Sequence, residues 1–353
     1  MFFFMKVSYI LVVFVFLSSM IFSCRNTKVE DSYISNDLDQ TILNLSKSYF
    51  DHLPDLELAK MSTEDRKIVE LGKKLFYEKK LSGTQTISCS SCHDIEKYGV
   101  DNLALSPGDK KQMGIRNSQS VLNTFLYGGQ NWDTKFKNVE EQAAGPIFSK
   151  LEMAMPNTAE LLRRLNDDPF YVKAFADAFP QSDPPVSLDN IQKAIGSFER
   201  TLLSPSRFDD YLKGNINALS TKEKMGAYSF VINCKSCHSS ALIGGGFAIE
   251  YPIFGHQRDF SSNKASDKGK YEVTKNPDDI NVFKVPQLRN VEKTYPYMHD
   301  GSVKTLEDAI RICAMAESNM QLKEKDVEYM AAFLKSLTGK IPEHALEKNK
   351  TFD

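Results

Sequence analysis

The sequence of 353 residues predicts a mainly α-helical protein with long ordered loops and two domains. Strand patterns are sparse, and the segments between helices are rich in Gly, Pro, Asn and Ser. A helix, a CxxCH motif and a glycine-rich loop occur in this order twice, at residues 71–99 and 225–246. This weak repeat predicts one domain for each copy. Apolar residues recur with the helical period over residues 62–76, 158–165, 188–203, 221–231, 306–315 and 325–337.

The chain begins with an apolar segment. Lys6 precedes an apolar run from Val7 to Phe22, which is short for a membrane-spanning helix and ends at Ser23-Cys24. The segment is similar to a bacterial lipoprotein signal, in which Cys24 becomes the lipidated first residue. An uncleaved anchor helix is the alternative. Both interpretations place the rest of the chain outside the cytoplasmic membrane, and the first predicts a periplasmic protein that a lipid anchors to the membrane.

Four regions follow from these patterns. After the signal at residues 1–24, residues 25–60 are polar and weakly patterned, as expected of a tether. Ser62 is an expected N-cap for the first helix of an N-terminal domain, residues 61–205. A C-terminal domain is predicted over residues 206–345. The charged fraction of 25% and the net charge of −2 show no basic surplus, which argues against a nucleic-acid partner.

The cysteines point to the chemistry. Exported proteins commonly pair their cysteines in disulfides, but here a histidine directly follows each CxxC pair. Such motifs attach haem c, because the two cysteines bond the porphyrin vinyl groups and the histidine binds the iron. A four-cysteine zinc site is the alternative, and the histidines, the exported compartment and the haem-sized loops disfavour it. The two motifs are Cys89-Ser-Ser-Cys92-His93 and Cys234-Lys-Ser-Cys237-His238.

Two covalent haems imply two cytochrome-c-like helical domains, each wrapped around one haem. Further motifs extend from about residue 71 to residue 339. They include Leu81-Ser-Gly83, Val121-Leu-Asn123, Glu141-Gln-Ala-Ala-Gly-Pro146, Ser197-Phe-Glu-Arg-Thr-Leu202, Lys284-Val-Pro-Gln-Leu-Arg-Asn290 and Pro296-Tyr-Met-His-Asp-Gly301. Together they resemble the bacterial diheme cytochrome c peroxidase family, which includes the enzyme that matures methylamine dehydrogenase.

The resemblance implies a peroxidase that reduces hydrogen peroxide to water. Peroxide would react at the haem on His93, and electrons would enter at the haem on His238 from a small cytochrome or copper protein. Gln142 and Glu152 match the family's distal residues. Glu152 would then carry the proton between the two peroxide oxygens, and Gln142 would position the peroxide.

The resemblance also assigns residues between the two haems. Trp132, the only tryptophan, matches the family's tryptophan between the haems, where it would assist electron transfer; a core aromatic is the alternative. Asn117, Thr294 and Pro296 match positions that hold a calcium ion between the domains, and oxygen donors of this kind suit that ion. His299 matches a family histidine near the haem region, and a structural histidine is the alternative. A homodimer is among the assemblies expected.

The sequence departs from the family at the first haem. Many members carry a histidine that caps the peroxidatic iron in the oxidised state, and Asp109 stands at that position here. No histidine occurs between His93 and His238. An open first haem is therefore expected, or a substitute cap from Met113 or from Lys110 or Lys111.

A second departure affects the haem on His238. The family's second axial ligand is a methionine in the helix that follows His299, and Cys313 stands at that position. Met315 is two residues further on, about 200° around the helix, so both side chains cannot face one iron. Either sulfur, or another residue, remains open as the ligand, and a core cysteine would show the same pattern as Cys313.

Three functions are therefore compared. A peroxidase is the main prediction. A maturation-type diheme oxidase acting on a protein substrate would share the open first haem and a second ligand other than methionine. A diheme electron-transfer cytochrome would have two ligands on each iron, and Gln142 and Glu152 argue against it because a carrier does not need them.

Overall fold

The computed structural model describes residues 27–56, 58–254 and 267–346, with side chains from residue 37 onward. The predicted signal segment and Cys24 lie outside the described residues. Among the helices that are described, none is both long and apolar enough to cross a bilayer. The part of the chain from Ile42 onward forms one compact unit.

The fold is mainly helical, which confirms the predicted class. Its two short strands, β1 (Ala248–Glu250) and β2 (Val282–Lys284), pair antiparallel with Ala248 opposite Lys284. The described helices are α1 (Thr27–Lys47), α2 (Thr63–Phe76), α3 (Val139–Phe148), α4 (Thr158–Asn166), α5 (Pro169–Ala178), α6 (Leu188–Glu199), α7 (Arg207–Leu212), α8 (Thr221–Cys234), α9 (Tyr271–Thr274), α10 (Leu306–Ser318), α11 (Glu324–Ser336) and α12 (Glu343–Leu346).

Each of the six predicted helical segments contains a helix. Ser62 caps α2, because its side chain accepts a hydrogen bond from the Asp65 backbone N–H at 3.0 Å. Helix α6 ends at Glu199, four residues earlier than predicted, and α8 extends three residues further, to Cys234. Helices α3, α5, α7, α9 and α12 were not predicted. Helix α3 contains Gly145-Pro146, and α7, α9 and α12 have six residues or fewer, so none of these four shows a long apolar period.

The region predicted as a tether differs from that expectation. It contains α1, and its last part packs into the core of the C-terminal half. Ile42, Leu43 and Phe50 are buried there, and the Phe50 ring lies edge-on to Phe208 at 5.7 Å between centroids. The Leu53 backbone N–H also donates to the Asp209 carboxylate at 2.7 Å. The few apolar residues of this region therefore anchor it, although they form no clear period in the sequence.

Two close helix pairs organise the regions around the CxxCH motifs. Helix α2 packs mainly on α6 and α8 mainly on α11. Each pair crosses at a glycine: a Cβ on Gly72 would lie 1.8 Å from the Ala194 carbonyl oxygen, and one on Gly226 would lie 2.0 Å from that of Tyr329. Glycine is therefore required at both crossings, since any side chain would separate the backbones. The helix preceding each motif is thus fixed against a later helix.

Candidate functional site

The second CxxCH motif continues directly from helix α8. The His238 backbone N–H donates to the Cys234 carbonyl at 3.0 Å, which extends the helical turn through the motif. The His238 ring donates from Nδ1 to the Ile243 carbonyl at 3.1 Å. This hydrogen bond fixes the tautomer in which Nε2 carries no proton, so Nε2 is available to bind iron.

Gly244 makes this arrangement possible. Its backbone has φ +131°, and a Cβ there would lie 2.2 Å from the Pro286 carbonyl oxygen and 3.1 Å from His238 Nδ1. Burial lowers the pKa of His238 to about 4, so the imidazole is neutral, which is the form that binds a metal.

The first motif shows the same geometry. Its histidine backbone N–H donates to the Cys89 carbonyl at 3.0 Å, and the His93 ring donates from Nδ1 to the Gly99 carbonyl at 3.2 Å. Burial lowers the pKa of His93 as well. Both histidines therefore have Nε2 available to bind iron, and each motif has two cysteine thiols that can form the thioether bonds of haem c.

A large cavity adjoins the second motif. Its walls come from α8, α10, α11 and the region of β2, and most lining side chains are apolar, as a porphyrin requires. Trp132, Asn117, Thr294 and Pro296 also line it. The residues at this cavity fit a haem attached at Cys234 and Cys237.

The predicted sulfur ligands differ in position. Cys313 lines this cavity, and burial raises the pKa of its thiol to about 12, with smaller contributions from Glu317, Cys234 and Cys237. Met315 is not among the residues that line it, whereas three other methionines are: Met298, Met320 and Met330.

Sequence reasoning missed Met320. Its backbone N–H donates to the Ala314 carbonyl at 3.0 Å across the end of α10, where Asn319 adopts a left-handed conformation with φ +50°. Asparagine often adopts the left-handed conformation that ends a helix, so Asn319 was the sequence signal for this turn.

Trp132 is held at the cavity wall by hydrogen bonds at both its side chain and its backbone. Its indole Nε1–H donates to the Asn117 carbonyl at 2.9 Å, and its own carbonyl accepts from the Lys284 backbone N–H at 2.7 Å. The His299 ring lies edge-on to the indole at 6.4 Å and stacks on Phe283 at 4.2 Å between centroids. Trp132 and His299 therefore meet beside the second motif.

The predicted calcium residues reach the same cavity wall. The Asn117 backbone N–H donates to the His299 carbonyl at 2.7 Å, which brings the two segments together. The peptide bond between Tyr295 and Pro296 is cis. Among the described residues, no group of three or more His, Cys, Asp or Glu side chains is placed to hold a metal ion.

Gln142 and Glu152 belong to the N-terminal half. Gln142 lies on α3, and the turn after this helix folds back over it, since the Met153 N–H donates to the Pro146 carbonyl at 3.1 Å. Glu152 is exposed in this turn. Burial raises the pKa of the Cys89 thiol to about 12 and that of the Cys92 thiol to about 11. The charge of Glu199 adds to the first increase and that of Asp101 to the second, and the charge of Glu152 makes the smallest contribution to both.

The Asp109 side chain is hydrogen-bonded to a neighbouring loop. Its carboxylate accepts hydrogen bonds from the Thr84 backbone N–H at 2.9 Å and from the Thr84 hydroxyl at 2.7 Å. Its own backbone N–H donates to the Glu152 carbonyl at 2.7 Å. The alternative caps, Lys110, Lys111 and Met113, are all exposed.

Comparison with known proteins identifies relatives. The family model described as di-haem cytochrome c peroxidase matches residues 66–217. Cytochrome c551 peroxidase of Pseudomonas aeruginosa is 42% identical over 276 residues, covering 77% of this chain and 79% of the relative. The enzyme of the same name from Nitrosomonas europaea is 39% identical over 289 residues, covering 81% and 84%. A crystal structure of a MauG-like protein associated with microbial copper homeostasis superimposes with a TM-score of 0.72 at 30% identity, covering 84% and 96%.

We predict that Gly244→Ala disturbs the haem on His238. The added Cβ would collide with the Pro286 carbonyl and displace the histidine ring, so the variant should keep the covalent haem but show a high-spin component at that iron. Absorption and electron paramagnetic resonance (EPR) spectra of the oxidised protein measure this. Gly246→Ala is the matched control, because a Cβ there meets no atom within 4 Å. Identical spectra for the two variants would contradict the predicted role of Gly244.

Proposed function

Because the chain belongs to the di-haem cytochrome c peroxidase family, we propose that it is a periplasmic enzyme that reduces hydrogen peroxide to water with electrons from a small redox protein. Two haem c groups serve this reaction. The observation that carries the proposal is the 42% identity to cytochrome c551 peroxidase of Pseudomonas aeruginosa over 276 residues. Glu152 supports it further, because a protein that only carries electrons needs no acid–base group beside its haem.

Glu152 and Gln142 would perform the proton chemistry. When bound, the haem on His93 supplies the iron at which the O–O bond is cleaved by two electrons. The Glu152 carboxylate would accept the proton of the inner peroxide oxygen and deliver it to the outer one, which leaves as water. Gln142 would orient the peroxide through its side-chain amide. With two electrons and two further protons, one peroxide gives two molecules of water.

Electrons would reach this site from the haem on His238. Trp132 lines the cavity of that haem, and its indole is fixed by the Asn117 carbonyl, so it has a defined position for electron transfer. A calcium ion at Asn117, Thr294 and Pro296 would join the two segments that contact Trp132. Neutral oxygen donors at this wall support the proposal, since calcium accepts amide and carbonyl ligands.

The electron donor would be a small cytochrome c or a copper protein. The N-terminal segment supports export, and a lipid on Cys24 would tether the enzyme to the membrane. A homodimer is one assembly consistent with the proposal.

A maturation-type oxidation of a protein substrate is the second candidate function. Asp109 and Cys313 favour it, because they replace the usual histidine cap and methionine ligand.

We predict that Glu152→Gln slows peroxide cleavage by about 10²–10⁴-fold, the usual loss when a general acid–base is removed. Stopped-flow spectroscopy of the first reaction with peroxide measures this, and the absorbance of the reduced haems confirms that both remain attached. Glu64→Gln is the control, because Glu64 is also exposed and lies in the first turn of α2. A Glu152→Gln rate within a few-fold of wild type would show that Glu152 has another role.

A further prediction concerns the second ligand of the haem on His238. Met315→Leu should leave the low-spin spectrum unchanged, because Met315 does not line the cavity. Four other sulfur-bearing side chains line the cavity outside the CxxCH motif, and the variants Cys313→Ala, Met298→Leu, Met320→Leu and Met330→Leu test them. The one that removes the ligand should convert this haem to high spin, since one iron has a single remaining axial position, and the oxidised EPR spectrum distinguishes the variants. A change of spin state in Met315→Leu would contradict the positions of these sulfurs.

A further inference from the structure

Three segments meet beside the first CxxCH motif. Two are loops, residues 82–87 and residues 107–113, and the third is the turn at residues 149–155 that carries Glu152. The loops contact the turn through backbone hydrogen bonds: the Gly83 N–H donates to the Met153 carbonyl at 2.7 Å, and the Asp109 N–H donates to the Glu152 carbonyl at 2.7 Å. The turn is therefore held at two neighbouring carbonyls by two different loops.

Both loops approach the turn at glycines. A Cβ on Gly83 would lie 2.6 Å from the Ala154 carbonyl oxygen, and a Cβ on Gly108 would lie 2.2 Å from that of Leu151. Neither loop could reach the turn with a larger residue at these positions. The side chain of Gln112 adds a hydrogen bond from the second loop to the Lys150 carbonyl.

The Asp109 carboxylate joins the two loops to each other. One oxygen accepts from the Thr84 N–H at 2.9 Å, and the other accepts from the Thr84 hydroxyl at 2.7 Å and the Thr86 hydroxyl at 3.3 Å. Asp109 is only 7% exposed. Burial alone would raise the pKa of Asp109, but hydrogen bonds from Thr84, Ser82 and Thr86 outweigh it and lower the pKa, so the carboxylate stays charged.

Glu152 needs such support. Its side chain is exposed, so packing does not fix the carboxylate, and its position depends on the backbone of the turn. Catalytic groups lose much of their effect when they move by about 1 Å. A residue that fixes the turn therefore controls where the Glu152 carboxylate lies.

We propose that Asp109 is a positioning residue that ties both loops to the turn and so holds the Glu152 carboxylate at the first haem before peroxide binds. This inference rests on the proposed acid–base role of Glu152. Asp109 itself touches neither peroxide nor iron in this account. It acts through the backbone of residues 149–155.

A double-mutant cycle tests the proposal. The rate of the first reaction with peroxide is measured by stopped flow for Asp109→Ala, Glu152→Gln and the double variant. Asp109→Ala should lower this rate by about 10²-fold, the scale expected for a misplaced catalytic group. In the Glu152→Gln background, the same change should lower it by less than about twofold, because no carboxylate remains to be positioned.

Two further variants keep the test informative if Asp109→Ala is not recovered with both haems. Asp109→Asn keeps one carbonyl oxygen, and Thr84→Val removes only the hydroxyl donor, so both should give smaller losses that also vanish in the Glu152→Gln background. Asp279→Asn is the matched control, because the half-buried Asp279 carboxylate likewise accepts from a threonine hydroxyl, that of Thr274 at 2.7 Å, but lies in the C-terminal half. It should leave the rate unchanged.

The outcomes distinguish the positioning role of Asp109 from the acid–base role of Glu152. Losses that multiply in the double variant would overturn the positioning role, because Asp109 would then act independently of Glu152. An Asp109→Ala rate within twofold of wild type, with Glu152→Gln still slow, would also overturn it. A Glu152→Gln rate close to wild type would instead refute the acid–base assignment on which the inference rests.

Discussion

The hydrogen bond from each CxxCH histidine to a backbone carbonyl is the interaction on which the rest of the structure depends. It leaves Nε2 of each ring unprotonated and available to iron, and it requires the loop after each motif to return to the histidine. The helix before each motif must therefore be fixed, which explains the glycine crossings at Gly72 and Gly226. The orientation of each histidine as a metal ligand thus depends both on the helix before the motif and on the loop after it.

The surroundings of the two motifs differ in a way that fits electron transfer at the second haem and peroxide reduction at the first. The second motif opens onto an apolar cavity with Trp132 and several sulfur-bearing side chains, among them Cys313 and Met320, at its wall. Such a site favours a haem with two axial ligands that passes electrons. The first motif is bordered by polar loops and by the exposed Glu152. This arrangement favours a haem with one free face, where peroxide and protons can enter.

Much of this could be predicted from the sequence, because its signals are local. The CxxCH motifs, the capped helix α2 and the periodic helices each depend on neighbouring residues. Other features depend on partners distant in the chain. Nothing near Asp109 indicates that Thr84 and Glu152 are its partners, since these contacts form only when three loops meet. Met320 was missed because the turn that ends α10, rather than a helical face, brings it to the cavity.

The most direct test of the central claim is the EPR spectrum of the oxidised protein as isolated. Asp109 stands where the family has a capping histidine, and its carboxylate is engaged by Thr84, so the first haem should have a free axial position. The account predicts one high-spin and one low-spin haem, with peroxide reacting without prior reduction. Two fully low-spin haems in the oxidised protein would contradict it.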